Sequence, residues 1–270
     1  MPGPASAFRA LAIVAAALPV LAAALPPSAA SAAPETRGPR TFVALSTVDP
    51  TIIQDLRYPT GHNFVGEPVD GYDQPLCILT RPAALALRDA QRRLLRRGHS
   101  LKVYDCYRPQ RAVDHFVRWA GDLADERMKR EFYPRIDKSR LFADGYIAGK
   151  SGHSRGSTVD VTLVRMPAHT TRPYVTGEPL TPCHAPEDAR FPDNSLDMGT
   201  GFDCFDTLSH TGDPRIQGPQ RANRQFLKET LAAAGFVNLP EEWWHFTLAA
   251  EPFPDTYHDF PVSWMSLIQP

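Results

Sequence analysis

The chain has 270 residues, 43% of them hydrophobic, enough to build a core within one generous domain. Lys and Arg total 29 and Asp and Glu total 30, so the formal net charge of −1 gives no electrostatic reason to expect a nucleic-acid or anionic-membrane partner. The 27 prolines are dispersed and form no Pro-rich linker, and no internal repeat is visible.

Residues 1–33 read as a secretion signal peptide, leaving 34–270 as one domain. Arg9 is the only charge at the start, Ala10 to Leu25 is apolar, and Ser28 to Ala33 supplies small residues for cleavage. Pro19 interrupts the apolar run, which is shorter than the roughly 20 residues of a spanning helix. No cysteine follows it to carry a lipid. The expectation is a secreted or periplasmic protein on the cell-wall side, with no stable membrane insertion after cleavage. Cys77, Cys106, Cys183 and Cys204 are compatible with two disulfides in three connectivities. Cys183 and Cys204 flank a loop-like segment that they could close. The absence of a Cys-x2-Cys spacing argues against a cysteine-rich zinc site.

Thr41 to Leu56 alternates loosely and predicts one or two strands, followed by turn chemistry from Arg57 to Tyr72. His62 within it reads as a surface or packing residue. From Thr80 the pattern is helical. Thr80 can cap, Pro82 suits the first turn, Leu87, Ala90, Leu94 and Leu95 keep helical spacing, and Gly98 ends the run. Arg92, Arg93, Arg96 and Arg97 read as the solvated face of that helix and a favourable charge at its C-terminus. Leu101 to Cys106 predicts a strand, with Arg108 at its end against Pro109. A guanidinium suits the oxyanion of a tetrahedral intermediate, although an arginine can equally tie a loop. Gln110 to Ala120 predicts a helix with Val113, Phe116 and Val117 inward, and a second charged helix follows from Asp125 to Phe132.

The most informative stretch is Ser151 to Leu163, a polar, glycine-punctuated loop that runs into a strand from Thr158 to Val164. His153 and Asp160 stand where a metal-ligand pair would straddle loop and strand. A catalytic zinc keeps three protein ligands, and the third candidate is His245 in Glu242-Trp-Trp-His245. Side chains three apart on a strand face opposite ways. Either the backbone bends there or Glu242 sits in the turn before the strand, well placed as the general base of an activated water. Between these motifs, Arg165 to Leu196 shows little periodicity. His169 and His184 are left out of the metal site, and His210 reads as an outer neighbour. Gln220 to Ala234 predicts a helix ended by Gly235, burying Phe226, Leu227 and Leu231. A strand from Trp244 to Leu248 follows, and the tail around Phe260 packs over the sheet.

Four phrases, Tyr104-Asp-Cys-Tyr-Arg108-Pro, Ser151-Gly-His-Ser-Arg-Gly-Ser-Thr-Val-Asp160, Met198-Gly-Thr-Gly-Phe-Asp203 and Glu242-Trp-Trp-His245, resemble the zinc D-alanyl-D-alanine dipeptidases in order and identity, from about Leu45 to Phe260. The resemblance implies a single α+β domain with a mainly antiparallel central sheet and flanking helices. It implies one zinc ion per chain on His153, Asp160 and His245, with Glu242 as base and Arg108 at the oxyanion. Tyr58 would line the pocket, and Ser151 and Asp203 would face the free amino group of the dipeptide D-Ala-D-Ala. The role implied is cell-wall peptide turnover or glycopeptide resistance; export points to turnover or scavenging of D-Ala, because resistance-type enzymes of the family act inside the cell. The His-x6-Asp and Glu-x2-His elements are shared with D,D-carboxypeptidases that trim peptidoglycan stem peptides, so that reading stays open, as does a non-catalytic zinc-containing wall-binding module. Arg165 to Leu196 is longer than the family's usual connection and is where a departure in substrate selection is expected.

Overall fold

Seven short strands and five helices carry the fold of the computed structural model, which describes Met1, Gly3 and residues 35–267. The expected signal peptide lies outside the described residues. In chain order, β1 (Phe42–Ala44), the one-turn α1 (Leu45–Val48) and β2 (Ile53–Gln54) lead to β3 (Ile78–Thr80), α2 (Arg81–Leu95) and β4 (His99–Asp105). Then come α3 (Gln110–Gly121), α4 (Lys129–Phe132), β5 (Thr158–Arg165), α5 (Gly218–Ala232), β6 (Phe236–Asn238) and β7 (His245–Leu248). The five-stranded sheet has the order β2-β4-β5-β7-β6, and β1 pairs with β3 in a separate ribbon. Every pairing in the large sheet is antiparallel except β2 with β4, so the sheet is mainly antiparallel, as expected, and mixed at one edge. Among the described residues no helix is long and apolar enough to cross a membrane.

β-branched alternation makes β5 the spine. Val159, Val161 and Leu163 enter one core with Leu87 and Leu94 of α2 and Leu227 and Leu231 of α5, all essentially inaccessible. Each such side chain contributes about 1.5–3 kcal/mol through burial. The other face of the sheet meets a largely aromatic core that includes Tyr58, Phe64, Phe116, Trp119, Phe205 and Phe260. The period of two therefore turns Asp160 and Thr162 away from the aliphatic core, on the face where the polar site is assembled.

Several boundaries differ from the sequence reading. Thr80 stands at the N-cap of α2, yet its hydroxyl makes no cap bond and meets Ser157 Oγ at 2.7 Å instead. Leu95 is exposed, and Gln91 takes the inward position, donating to Ser100 Oγ (2.8 Å) and accepting from the Leu101 amide (2.8 Å). The charged helix contracts to the single turn of α4. In α5, Phe226 is only half-buried and Arg224 occupies a core position. β7 begins at His245, one residue after the predicted start. The cysteines form Cys77–Cys106 and Cys183–Cys204, the second being the pairing that the flanked loop suggested. Residues 166–194 contain no helix or strand, as expected.

Candidate metal centre

Strand register brings the first two candidate ligands together. Asp160 of β5 is paired directly with His245 of β7, so both side chains leave the same face of the sheet. His153 arrives from a single 3-10 turn, Gly152–Arg155. The turn is opened by Ser151, whose hydroxyl accepts from the His153 amide at 3.3 Å, and closed by Gly156 with φ of 78°. A side chain at 156 would also collide with the Phe42 ring, so glycine is required there twice over.

The three facing atoms form a nearly equilateral triangle. His153 Nε2 lies 3.2 Å from Asp160 Oδ1, His245 Nδ1 lies 3.1 Å from the same oxygen, and the two nitrogens are 3.3 Å apart. Ligands about 2.0–2.1 Å from a tetrahedral zinc lie about 3.3 Å from one another, so the donor set and its spacing both fit a zinc-type ion. The outer layer fits as well. His153 Nδ1 donates to the Cys106 carbonyl at 2.7 Å, which leaves Nε2 as the lone-pair nitrogen. Burial works against ionising Asp160, but the two histidines beside it win and hold its carboxyl below the usual range.

Glu242 sits in the turn before β7, the alternative that strand parity allowed, with Oε2 3.4 Å from His245 Nδ1. Burial pushes its carboxyl above the ordinary range and Asp160 adds to the shift, although His245 opposes it. Arg108 lies against the rings of Tyr58 and Phe116, 4.9 and 5.1 Å from their centroids. Its Nη1 is 3.5 Å from Ser151 Oγ and its Nη2 3.8 Å from Asp160 Oδ2. On the far wall Tyr58 donates to Asp203 Oδ2 at 2.8 Å. Burial first, and then Asp160, keeps the Asp203 carboxyl well above its usual range. Asp203 is the one non-glycine residue with positive φ among the described residues, at 54°.

One cavity of about 380 Å³ is lined by all eight residues proposed from the sequence: Tyr58, Arg108, Ser151, His153, Asp160, Asp203, Glu242 and His245. His210 falls outside it, in a neighbouring cleft with Glu241. Among the described residues, none from 165 to 196 lines the cavity, so that segment reaches the site only indirectly. His62 is buried, not at the surface, with contacts to Arg57 (3.1 Å) and Glu131 (2.9 Å).

Three side chains that support the site were missed. Asp105, fully buried, accepts from Arg108 Nε at 3.0 Å and Nη2 at 2.9 Å and from the Tyr72 hydroxyl at 2.6 Å. It thereby aims the guanidinium into the cavity. Arg224 of α5 donates to the carbonyls of Met198, His210 and Leu208 at 2.6, 2.7 and 2.9 Å, holding from behind the loop that carries Asp203. The i,i+3 spacing of Asp105 and Arg108 was an available signal. Nothing local marked Tyr72 or Arg224.

A donor triangle with a raised carboxyl and a fixed guanidinium around one cavity is equipped to polarise an amide and cleave it with water, which places the protein in the class of metal-dependent peptidases. Comparison with known proteins narrows the class. Residues 39–171 and 190–263 match the peptidase M15 family model, described as D-ala-D-ala dipeptidase. A D-alanyl-D-alanine dipeptidase of Streptomyces coelicolor is 41% identical over 77% of this chain and 92% of its own length. Its counterpart in Enterococcus faecalis is 39% identical over the same shares, and one in Escherichia coli is 28% identical over 76% of this chain and 83% of its own. The chain belongs to the D-Ala-D-Ala dipeptidase family of peptidases.

Proposed function

We propose that the protein is an exported zinc dipeptidase that hydrolyses free D-Ala-D-Ala to two molecules of D-Ala, serving cell-wall peptide turnover. The observation that carries the reading is the Tyr58–Asp203 pair on the cavity wall, with Ser151 on the same cavity. A buried carboxylate there can pair with the ammonium of a free dipeptide, and that ammonium would favour its ionised form. An acylated nitrogen has no charge to offer and would leave the buried carboxylate with the Tyr58 hydroxyl but no opposite charge, a costly state. A dipeptide is thus read by its end.

His153, Asp160 and His245 would hold the ion, which when bound supplies Lewis acidity and brings the pKa of its water to about 7. Glu242 takes the proton from the attacking water and returns it to the leaving amine. Arg108, held by Asp105, donates to the oxygen that gains charge as the carbonyl becomes tetrahedral. Asp203 and Ser151 fix the amino end, so the scissile bond is presented in one register. The apolar run before residue 33 and the two disulfides support export to an oxidising compartment.

The test compares free D-Ala-D-Ala with an N-acylated peptide ending in D-Ala-D-Ala, each with and without chelator. Cleavage confined to the free dipeptide and lost on chelation is expected. Efficient cleavage of the blocked peptide would move the protein to the carboxypeptidases, and cleavage of neither would favour a wall-binding module.

A further inference from the structure

The family model leaves out residues 172–189. This extra segment contributes nothing to the cavity wall, yet it is fastened to the loop that carries Asp203. Cys183 lies within it and is bonded to Cys204, the residue after Asp203. The attachment is doubled by backbone, because the Gly201 amide donates to the Cys183 carbonyl at 2.8 Å. Both pieces hang from α4: the Cys183 amide donates to Glu131 O at 2.9 Å and the Phe205 amide to Phe132 O at 2.8 Å.

The other half of the recognition pair is secured from the same side. Arg57, next to Tyr58, is bound by Asp193 at 2.9 Å and meets His62 at 3.1 Å. His62 in turn contacts Glu131 at 2.9 Å and stacks on Tyr174 of the extra segment, with centroids 4.4 Å apart and planes within 9°. Asp203 needs such fastening. A non-glycine residue at positive φ costs of order 1 kcal/mol or more and persists only where its surroundings over-determine it.

We propose that the segment 172–189 is a specificity brace, in which the Cys183–Cys204 bond holds Asp203 at the backbone angle that presents its carboxylate to a substrate ammonium. The proposal rests on the reading of Asp203 as the ammonium partner. Cys183 and Cys204 are positioning residues: neither touches substrate, and both act through Asp203. Freed from the bond, the loop relaxes at 203, and the charge that selects a free amino end moves out of register. A displacement of about 1 Å can cost up to about a hundredfold in such a site. The metal triangle rests on β5, β7 and the 151–156 turn and stays as it is.

The experiment measures kcat and KM of a C183S/C204S double variant on free D-Ala-D-Ala and on N-acetyl-D-Ala-D-Ala, with zinc content determined on the same samples. The brace predicts a KM for the free dipeptide raised about tenfold or more, with kcat within about threefold, full zinc occupancy, and reduced preference for the free over the acetylated substrate. Unchanged KM and preference, even with a lower melting temperature, would overturn it and leave the bond a plain staple. A loss of zinc or of kcat alone would overturn it too, by locating the effect at the metal. If the serines prevent folding, Cys183→Ala with Cys204→Val fills the same volume without the bond and puts the same question. Asp203→Asn separates the two levels. If it leaves KM unchanged, the ammonium reading fails and the brace with it; if it raises KM where the double variant does not, the brace alone fails.

Discussion

Glu242, the proposed base, is a single carboxyl set in a turn and kept from ready ionisation by burial. Glu242→Ala is expected to lower kcat by about 10²–10⁴-fold while zinc content stays at one per chain, because the base is not one of the three donors. Metal analysis alongside steady-state kinetics checks this, and near-full activity would sink the assignment. At this scale most of the candidate site's assembly around one cavity was legible in the sequence. His153 and Asp160, and Glu242 and His245, sit within short spacings where chain geometry alone restricts what they can reach. Asp105, Tyr72 and Arg224 were not legible as site residues, for a physical reason. The Tyr72–Asp105 bond spans 33 positions, and the Arg224 bonds reach back 14 to 26, so their partners are set by tertiary packing. Arg224 has an arginine's charge in a leucine's place on α5. Burial, with a smaller push from the Arg190 charge, brings its pKa down to about 10, and three carbonyls accept its hydrogen bonds.

At the scale of elements, the candidate metal centre is a junction of one strand pair with one tight turn. The strands were readable because β-branched alternation marks β5. The turn was readable because Gly156 punctuates it. What sequence could not supply was the use of Thr80, which reads as a helix cap and is instead pulled to Ser157, 77 positions away, beside the same turn. Local propensity lost there to a tertiary partner. The turn is also the most demanding backbone in the site. Gly156→Ala would place a β-carbon at positive φ and into the Phe42 ring, a cost of more than about 2 kcal/mol. It is expected to lower the thermal midpoint and to raise the chelator sensitivity of activity, since the strain falls three residues from His153. Unaltered chelator competition would show that the turn does not govern metal retention.

Across the whole molecule, a buried charge network joins the stretch after β2, β4 and the segment before Ser195. Asp193 accepts from Lys102, from Arg57 at 2.9 Å and from the Tyr104 hydroxyl at 2.9 Å. Burial opposes ionisation of Asp193, but Lys102 and Arg57 outweigh it and bring the carboxyl down to about 2. The ordinary aspartate value is about 3.9. A depressed folded pKa contributes stability that is complete above the unfolded value and is lost as pH falls from about 4 toward 2. The contribution amounts to about 2 kcal/mol. Denaturant midpoints of the wild type should therefore drop more steeply between pH 5 and pH 2.5 than those of Asp193→Asn. Parallel profiles would remove the network from the acid response. The mixed edge of the sheet belongs to this scale as well. β2 is only two residues long, too short for its direction to be read from periodicity, and its parallel pairing follows from the path of the chain around α2.

The Phe42 ring that closes over Gly156 has a further consequence for how the protein can be processed. The residues just before it are also spoken for: the Glu35 carboxylate accepts from the Asp259 amide at 2.8 Å, and the Gly38 amide donates to the Ser266 carbonyl at 2.9 Å. Phe42 itself packs edge-on against Tyr107 and Phe260, at 5.4 and 5.0 Å between centroids. The beginning of the domain is thereby laced to its end and to the turn that supplies His153. A protease that nicked the chain after Phe42 would leave every candidate site residue on the remaining chain. It would remove the ring packed against Gly156 in the turn that carries His153, so the latest tolerable start of the domain is set by the packing of the candidate metal centre.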